Sequence, residues 1–392
     1  MPKREKGGES VAQAPRIYIT GLHLSHGGVE RVIVSLANAF AHRGFAVEIL
    51  CTYNLGEPAY PLDGRVSVRY LTEDRPNRAE IRVALQEKAL FSLAKELIYA
   101  AGVLRRKKRT MKKALSEIGE GVVISTRHEH SLLLSRYGQK GVFKIAQLHA
   151  DHAFDKKLIS EMRSGYTNID ALPLFFENSV EEVGAFFEGV EKHPRLLVIP
   201  NFIDEVTPPV TEKKKQVIAA GRLHADKDFF SLLRIWKKVL ASHPDHTLVI
   251  AGEGEEEAAL RAYAEELGIA KSVELCGALP YETLLSEMAA SRAYALTSIS
   301  ESFSLVLVEA AASGCVPVAY DVRVGPRGIL TEGEDGFLIP HGDEDAFAEK
   351  LSFLLSHDDV RLRMQEKAKI NAKRYFKDSV MELWVDLITN RK

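Results

Sequence analysis

The sequence predicts an α/β protein with two Rossmann-like, doubly wound domains that face a central cleft. Short apolar segments that suit buried strands alternate with amphipathic segments that suit helices. This alternation stops once, at residues 198–215, and then restarts. Parallel strands need a long crossover between them, usually a helix, so the pattern favours two parallel sheets. The length of 392 residues is sufficient for two domains with separate cores.

The first half opens with a βαβ unit, in which Gly44 is placed to end the helix. Ser179 and the glutamates that follow it have the form of a capping box, which predicts a helix from Ser179 to about Glu188. The first unit comprises a strand at 16–20, a helix at 29–43 and a strand at 46–51. Further strands are predicted at 66–71, 122–125, 144–148 and 171–176.

The second half repeats the alternation after a Pro- and Lys-containing linker at 206–215. Its last helix carries Trp384 on an apolar face that can pack back across the N-terminal domain. The predicted strands lie at 216–220, 247–251, 272–276, 293–297 and 316–319. The predicted helices lie at 228–242, 255–267, 281–291, 304–313, 345–355, 360–374 and 376–390.

These patterns predict domain boundaries and a cellular location. We expect a disordered leader at 1–15, an N-terminal domain at 16–200, a C-terminal domain at 201–375 and a C-terminal helix at 376–392. The leader is polar and has no signal-peptide pattern. The longest nearly apolar run, 89–104, contains two charges and is too short to span a membrane. We therefore expect a cytoplasmic protein that can associate peripherally with the inner face of the cell membrane.

Composition excludes several classes of partner. The formal net charge of −2 gives no general attraction to nucleic acid. The three cysteines, Cys51, Cys276 and Cys315, are far apart and form no metal-binding or disulfide pattern. Such usage is typical of a reducing compartment.

The segment 301–309 places Glu301 and Glu309 on either side of a loop that leads from a predicted strand into a helix. The small polar residues between them suit a helix start with exposed backbone N–H groups, which bind anions. Glu309 is placed to accept hydrogen bonds from vicinal ribose hydroxyls, and Glu301 is placed beside a transferred sugar or its acceptor. The alternative is a serine N-cap with two solvated glutamates.

Two cations follow a strand about eighty residues earlier. Arg222 and Lys227 come after a strand that ends near Gly221, so both side chains can point into the crevice at its carboxyl end. Fixed cations stabilise the charge that develops on a departing diphosphate. Solvated surface cations are the alternative. The motif Asp226-Lys-Asp228 has the form of a DxD metal site, but it overlaps this cationic turn, so we expect no metal there. A hydrolase would also use two carboxylates, but the nearby cations favour a phosphate-bearing donor.

The N-terminal domain offers a glycine pair and a histidine. Gly27 and Gly28 follow the first strand, where the missing Cβ atoms allow close approach of a sugar or phosphate. The pattern is not GxGxxG, so a dinucleotide-dependent oxidoreductase is poorly supported. His149 ends a buried strand that faces the same cleft and can hydrogen-bond a sugar, or it can be a structural strand-end histidine. Residues that can also line the acceptor side are Arg127, His128, His130 and His152.

Seven of the nine residues at 105–113 are cations. Such a segment can dock on anionic lipid, each cation contributing about 1 kcal/mol near the surface. Nucleic acid is not favoured, because no aromatic residues are interleaved. A solvated helix face is the equal alternative.

Taken together, these motifs resemble the retaining glycosyltransferases of family 4, also described as glycosyl transferases group 1, which have the GT-B fold. The resemblance spans most of the chain and is strongest at 198–340. The matching motifs, in order, are the ones at 199–204, 221–227, 251–254, 301–309 and 336–340. The segment 320–330 departs from the Gly-Gly turn of many members and resembles a subgroup acting on capsule, teichoic-acid or related surface glycans.

The resemblance implies a hexosyltransferase that needs no bound metal or other cofactor. The C-terminal domain would bind a UDP- or GDP-sugar and the N-terminal domain a glycan or lipid-linked acceptor. By resemblance, Arg222 and Lys227 hold the diphosphate, Glu309 the ribose, and Glu301 the sugar. The other implied contacts are Ser302, Phe303, Ser304 and Leu305 to sugar and phosphates, Gly28 to diphosphate or sugar, and His149 as the N-domain histidine. A sugar-nucleotide epimerase and a non-catalytic partner in an assembly complex remain alternatives.

Overall fold

The computed structural model describes residues 14–149, 152–206 and 212–390. Most of the leader predicted at 1–15 lies outside these residues, as do positions 207–211 of the predicted linker. The described residues form two parallel sheets with helices on both faces, which confirms the predicted fold class.

The first sheet has seven strands in the order β3-β2-β1-β4-β5-β6-β7, all paired in parallel. The strands are β1 (Ile17–Gly21), β2 (Val47–Tyr53), β3 (Val66–Thr72), β4 (Gly121–Ser125), β5 (Val142–Ala146), β6 (Ala171–Leu174) and β7 (Arg195–Val198). The helices are α1 (Gly28–His42), α2 (Arg78–Gln86), α3 (Leu90–Glu117), α4 (His128–Tyr137), α5 (Lys156–Gly165) and α6 (Glu177–Phe186).

The second sheet has six strands in the order β10-β9-β8-β11-β12-β13, again all parallel. The strands are β8 (Gln216–Ala220), β9 (Thr247–Ala251), β10 (Val273–Gly277), β11 (Ala293–Leu296), β12 (Val316–Asp321) and β13 (Phe337–Pro340). The helices are α7 (Phe229–Leu240), α8 (Glu257–Glu266), α9 (Tyr281–Ala290), α10 (Leu305–Ala312), α11 (Pro326–Ile329), α12 (Glu344–Ser356), α13 (Asp358–Ala372) and α14 (Lys377–Thr389).

Burial explains why the central strands form where the sequence predicts them. Every residue of β4 and of β8 is buried, because helices cover both faces of each sheet. The apolar side chains pack into separate core clusters on the two faces of each sheet. The strand order reverses between β1 and β4 in one sheet and between β8 and β11 in the other. Each reversal leaves a crevice at the carboxyl ends of those strands.

Several predicted details are wrong. Strands β7 and β13 were not predicted, and Val198 at the end of β7 was assigned to the start of the linker. Helix α6 begins at Glu177 with Phe176 as its N-cap, so Ser179 lies inside the helix and forms no capping box. Strand β5 ends at Ala146, so His149 lies in the following loop.

The chain crosses between the domains at two adjacent places. Ile203 forms a parallel bridge with Phe376, through hydrogen bonds from Ile203 N to Tyr375 O at 3.0 Å and from Lys377 N to Ile203 O at 2.9 Å. Helix α14 then packs on the N-terminal domain, where its side chains join the core cluster formed by β1 and α1. Phe40 of α1 meets Trp384 edge to face, with ring centroids 6.0 Å apart.

Truncation of Trp384, which is 2% exposed, should therefore destabilise the N-terminal domain. We expect Trp384→Ala to lower its free energy of unfolding by about 3–5 kcal/mol, because the loss leaves a cavity in the core. Urea denaturation followed by circular dichroism measures the change. Leu383→Ala on the same helix is the control, since that side chain is 45% exposed. Equal effects of the two substitutions would contradict this placement of α14.

Candidate active site

The two crevices face each other across the cleft between the domains. The loop after β11 contacts the N-terminal domain directly, because Ser302 Oγ donates a hydrogen bond to the backbone carbonyl of His149 at 2.8 Å. Helix α1 contacts α10 through a hydrogen bond from Arg31 to Glu309. These contacts bring the loops after β1 and β5 next to the loops after β8 and β11.

The centre of the C-terminal crevice is an ion pair between Lys227 and Glu301. Lys227 Nζ donates to Glu301 Oε1 at 2.6 Å, and the two side chains are 18% and 8% exposed. The turns that carry them are tied together, because Thr297 Oγ1 lies 3.1 Å from the carbonyl oxygens of both Lys227 and Asp228. Lys227 also passes over Gly221, whose missing Cβ would lie 3.6 Å from the lysine side chain.

The structure does not place Arg222 beside the Lys227–Glu301 pair. Its side chain is 71% exposed and lies 3.5 Å from Asp226 Oδ2. A 3₁₀ turn at Ala225–Lys227 separates the two cations, and Lys227 alone points at Glu301. The contact of Arg222 with a diphosphate therefore stays a prediction.

The loop before α10 has an unusual backbone. Ser304 is the N-cap of α10 and adopts the left-handed conformation, with φ 76° and ψ 70°. This conformation is costly for a non-glycine residue, and such strain is concentrated at functional sites. The hydroxyl of Ser304 is buried and has no hydrogen-bond partner within the described residues. Ser304 and Leu305 thus stand at the helix start where an anion would be held.

Phe303 anchors the same loop against the N-terminal domain. It is 3% exposed and stacks on Phe176, with ring centroids 5.5 Å apart and an interplanar angle of 12°. Gly325, at φ 91°, lies against this loop, and a Cβ there would be 2.9 Å from Glu301 Cβ. Phe303 is therefore a packing residue, and the loop depends on a glycine beneath it.

Glu309 is completely buried inside α10. One of its oxygens accepts the hydrogen bond from Arg31, and the other has no partner within the described residues. The Arg31 guanidinium also lies over the ring of Tyr281, 4.6 Å from its centroid. In this closed arrangement Glu309 faces the N-terminal domain and is shielded from water.

The glycine pair has two different structural roles. A Cβ on Gly27 would lie 2.1 Å from Glu30 Oε2, so a side chain there would displace the Glu30 carboxylate. A Cβ on Gly28 would meet no atom within 4 Å, so Gly28 borders open space at the start of α1. The buried Glu30 carboxylate is paired with Arg127, whose guanidinium lies 3.0 Å from Glu30 Oε1.

The predicted histidines are distributed around the N-terminal side of the cleft. Burial, aided by the charge of Arg127, lowers the pKa of His149 to about 4, so its ring is neutral at pH 7. Burial also lowers the pKa of His130 to about 4, and this ring lies 3.0 Å from Thr20 Oγ1. His128 lies 2.9 Å from both Tyr166 and Glu161, which gives it a structural role.

A second contact between the domains involves His152. Arg323, in the loop after β12, donates a hydrogen bond of 2.5 Å to Glu182 of α6 and lies 3.4 Å from His152 Nε2. The Arg323 guanidinium also covers the ring of Phe154 at 4.9 Å. His152 therefore belongs to an ion-pair cluster that joins the domains.

Sequence reasoning missed Arg31, Glu182 and Arg323. Arg31 stands three residues after Gly28, at the cleft end of α1, and this position was its only signal. Within the residues that the structure describes, no three His, Cys, Asp or Glu side chains cluster to hold a metal ion. No helix in the described ranges is long and apolar enough to cross a membrane.

Comparison with known proteins finds similarity to glycosyltransferases. Residues 203–371 match the family described as glycosyl transferases group 1. The chain is 31% identical over 383 residues to the exopolysaccharide phosphotransferase SCO2592 of Streptomyces coelicolor. That alignment covers 93% of this chain but only 39% of the longer Streptomyces protein.

Two further similarities extend over whole chains. Identity is 27% over 381 residues to a Campylobacter jejuni protein, covering 94% of this chain and 97% of that one. It is named GalNAc-alpha-(1->4)-GalNAc-alpha-(1->3)-diNAcBac-PP-undecaprenol alpha-1,4-N-acetyl-D-galactosaminyltransferase. The fold resembles that of the pneumococcal O-GlcNAc transferase GtfA, solved in complex with UDP and GlcNAc, with a TM-score of 0.76. Sequence identity there is 15%, and 97% of this chain and 99% of that chain are covered.

Because Gly325 supports the loop of Glu301, we expect Gly325→Ala to displace that loop and lower activity at least tenfold. Gly333→Ala is the matched control. Gly333 also has a positive φ, 73°, but a Cβ there meets no atom within 4 Å. Both substitutions place a Cβ on a backbone with positive φ, but only the one at Gly325 also meets a neighbouring side chain. Activity is therefore compared at a temperature at which thermal denaturation shows that both variants are folded. Activity that falls equally in both variants would contradict the role of the Glu301 loop.

The buried His130 should make the protein less stable in acid. Its pKa is about 4 in the folded protein and about 6.5 in an unfolded chain. As pH falls from about 6.5 to 4, the unfolded state therefore binds a proton that the native state does not, and up to about 3 kcal/mol of stability is lost. We expect His130→Asn to flatten this part of the stability–pH curve, measured by urea denaturation. The control is His341→Asn at an exposed site, and an unchanged slope in His130→Asn would refute the assignment.

Proposed function

We propose that the chain, which has the GT-B fold, transfers a hexosyl residue from a nucleotide sugar to a hydroxyl group of a glycan. The match of residues 203–371 to the glycosyl transferases group 1 family supports this proposal. We infer a UDP-sugar as the favoured donor, with a GDP-sugar as the alternative. We also infer that the anomeric configuration is retained and that no metal ion is required. The acceptor is a surface glycan or a lipid-linked glycan.

The observation that carries the proposal is the Lys227–Glu301 pair beside the start of α10. A lysine, a carboxylate and the backbone N–H groups of a helix start converge on one crevice at the carboxyl ends of β8 and β11. A diphosphate attracts the lysine and the backbone N–H groups, and a sugar hydroxyl hydrogen-bonds to the carboxylate. A nucleotide sugar carries both chemical groups, so it fits this arrangement.

In the proposed reaction the acceptor oxygen attacks the anomeric carbon of the donor. The bond from that carbon to the diphosphate oxygen breaks, and its electron pair leaves with the nucleotide diphosphate. The departing oxygen accepts the proton of the acceptor hydroxyl. Lys227 and the backbone N–H groups of α10 stabilise the negative charge that grows on the diphosphate during this step. This interaction is stronger in the transition state than in the bound substrate, so it lowers the barrier. The exposed Arg222 would add a second cation when the donor is present.

The N-terminal side supplies the remaining proposed contacts. His149 is neutral at pH 7 because burial lowers its pKa, so its ring can hydrogen-bond a sugar hydroxyl without repelling positive charge at the anomeric carbon. Gly28 borders open space in which a sugar or phosphate can approach the backbone. Glu309 can hold ribose hydroxyls once Arg31 has moved away from its carboxylate.

The relatives support the choice of donor and acceptor. GtfA was solved with UDP, and UDP is therefore the first nucleotide to test. The name of the Campylobacter protein specifies an undecaprenol-linked glycan as acceptor, which supports a lipid-linked acceptor here. The name of the Streptomyces protein specifies exopolysaccharide, which supports a role in polysaccharide assembly.

A panel of UDP- and GDP-sugars tested by thermal shift should identify the donor. A donor at 100 times its dissociation constant should stabilise the wild type by about 2.7 kcal/mol. Arg222→Ala should reduce both this stabilisation and donor hydrolysis, with kcat/KM about 100-fold lower because one cation on the diphosphate is lost. The exposed side chain of Arg222 makes this variant structurally safe.

The control is Lys271→Ala, an exposed cation of the same domain, which should bind the donor like the wild type. Chelator should leave activity unchanged. Conversion of donor without acceptor would indicate an epimerase, and a product carrying sugar phosphate would indicate phosphotransfer. Donor binding that is unaffected by Arg222→Ala, or activity abolished by chelator, would refute the proposed diphosphate site.

A further inference from the structure

Helices α2 and α3 form a hairpin that leaves a large apolar surface uncovered. In the 28 residues of α3, the buried side chains are Val103, Met111, Ala114 and Leu115. Three of these four lie in the second half of the helix, where it packs on the sheet. The exposed large apolar side chains of the hairpin are Val83, Leu85, Leu90, Phe91, Leu97, Ile98, Tyr99 and Leu104, with exposures between 40% and 89%.

The first half of α3 projects beyond the edge of the N-terminal sheet. Arg106 pairs with Asp74, two residues after the end of β3, and Lys107 pairs with Glu129 in the first turn of α4. Both partners mark the carboxyl edge of the sheet, so α3 crosses that edge at Arg106 and Lys107. The 17 residues back to Leu90 extend about 25 Å further at 1.5 Å per residue. The apolar part of the hairpin therefore stands out beside the cleft.

One face of α3 changes from apolar to cationic along its length. Residues three, four or seven positions apart share a helix face. At this spacing the exposed face carries Leu90, Phe91, Ala94, Leu97, Ile98, Ala101 and Leu104, bordered by the exposed Lys95, and then continues with Arg105, Lys108, Arg109 and Lys112. The projecting half of the stripe is thus apolar, and the half at the sheet edge is cationic.

The cations of this stripe are available for a partner. Arg106 and Lys107 are held by carboxylates of the protein, but they lie off the stripe. Within the described ranges, Arg105, Lys108 and Arg109 form no ion pair with a carboxylate. Lys112 lies over the ring of Tyr137, 4.2 Å from its centroid.

We propose that this α2–α3 face docks on the surface of an anionic lipid bilayer. The exposed apolar side chains would enter the boundary between headgroups and acyl chains, and the cations at the sheet edge would meet the anionic headgroups. A second copy of the chain fits less well, because a two-fold contact through the same stripe would place its cations against either the cations or the apolar residues of the other copy. Nucleic acid would use the cations but would leave the projecting apolar half in water.

Docking in this way would hold the cleft close to the bilayer. Glu129, which pairs with Lys107 beside the stripe, lies two residues from Arg127, and Arg127 contacts Glu30 at the start of α1. An acceptor carried by a membrane lipid would thus be presented to the N-terminal side of the cleft. The docking surface itself lies outside the proposed active site, so its test measures binding to vesicles and not catalysis.

Flotation of the full-length protein with lipid vesicles tests the proposal. The wild type should bind vesicles containing about one-third phosphatidylglycerol, should not bind pure phosphatidylcholine vesicles, and should be released as ionic strength rises. The variant Lys108→Gln/Arg109→Gln/Lys112→Gln lacks three cations of the stripe. Its partition coefficient onto anionic vesicles should be about 100-fold lower than that of the wild type. Phe91→Ser/Ile98→Ser should weaken it at least tenfold, since these side chains are 89% and 75% exposed.

Matched controls come from exposed residues of the C-terminal domain. Lys237→Gln/Lys271→Gln/Lys367→Gln removes the same charge, and Leu362→Ser/Ile370→Ser removes comparable apolar side chains. Both control variants should bind anionic vesicles like the wild type. Equal losses in control and stripe variants, or no binding to anionic vesicles at low salt, would overturn the proposal. A dimer in solution that Phe91→Ser/Ile98→Ser dissociates would assign the face to a second copy instead.

Discussion

A carboxylate without access to water connects the two halves of the molecule. Glu309 is fully buried in α10, and the cation that balances it, Arg31, comes from the other domain. An unpaired buried carboxylate costs several kcal/mol, and removing one member of such a pair is strongly destabilising. The closed position of the domains is therefore linked to the charge state of the cleft. The bridge between Ile203 and Phe376 holds together the two segments that cross between the domains.

The sequence predicted the fold well where strands are central and poorly where they are at sheet edges. Strands β8 and β9 have the predicted bounds, because strands covered on both faces appear as short continuous apolar runs. Strand β7 lies at the edge of its sheet and is only partly buried, so its pattern resembled that of the adjoining linker. Strand β13 is also an edge strand, is four residues long and ends in proline.

The candidate site was predictable in its location but not in its pairings. Parallel strands place functional loops at the carboxyl ends beside a strand-order reversal, and the sequence identified the loops after β1, β8 and β11 on that basis. Lys227 and Glu301 are 74 positions apart, and Arg31 and Glu309 are 278 apart. Such pairs depend on the packing of whole domains, and no local pattern encodes them. The projection of α3 was hidden for a related reason, because a helix period does not tell which face remains uncovered.

The strained turns and the ion pairs of the cleft together indicate which contacts a bound donor would have to replace. Non-glycine residues with positive φ include Asp228 and Ser304, which begin the helices after β8 and β11. These turns stay in place through tertiary contacts, so they are organised before any ligand binds. The charged side chains, in contrast, are already neutralised by each other. A nucleotide sugar would have to take Lys227 from Glu301 and Glu309 from Arg31. The second exchange breaks a contact between the domains, so donor binding and domain position cannot be independent of each other.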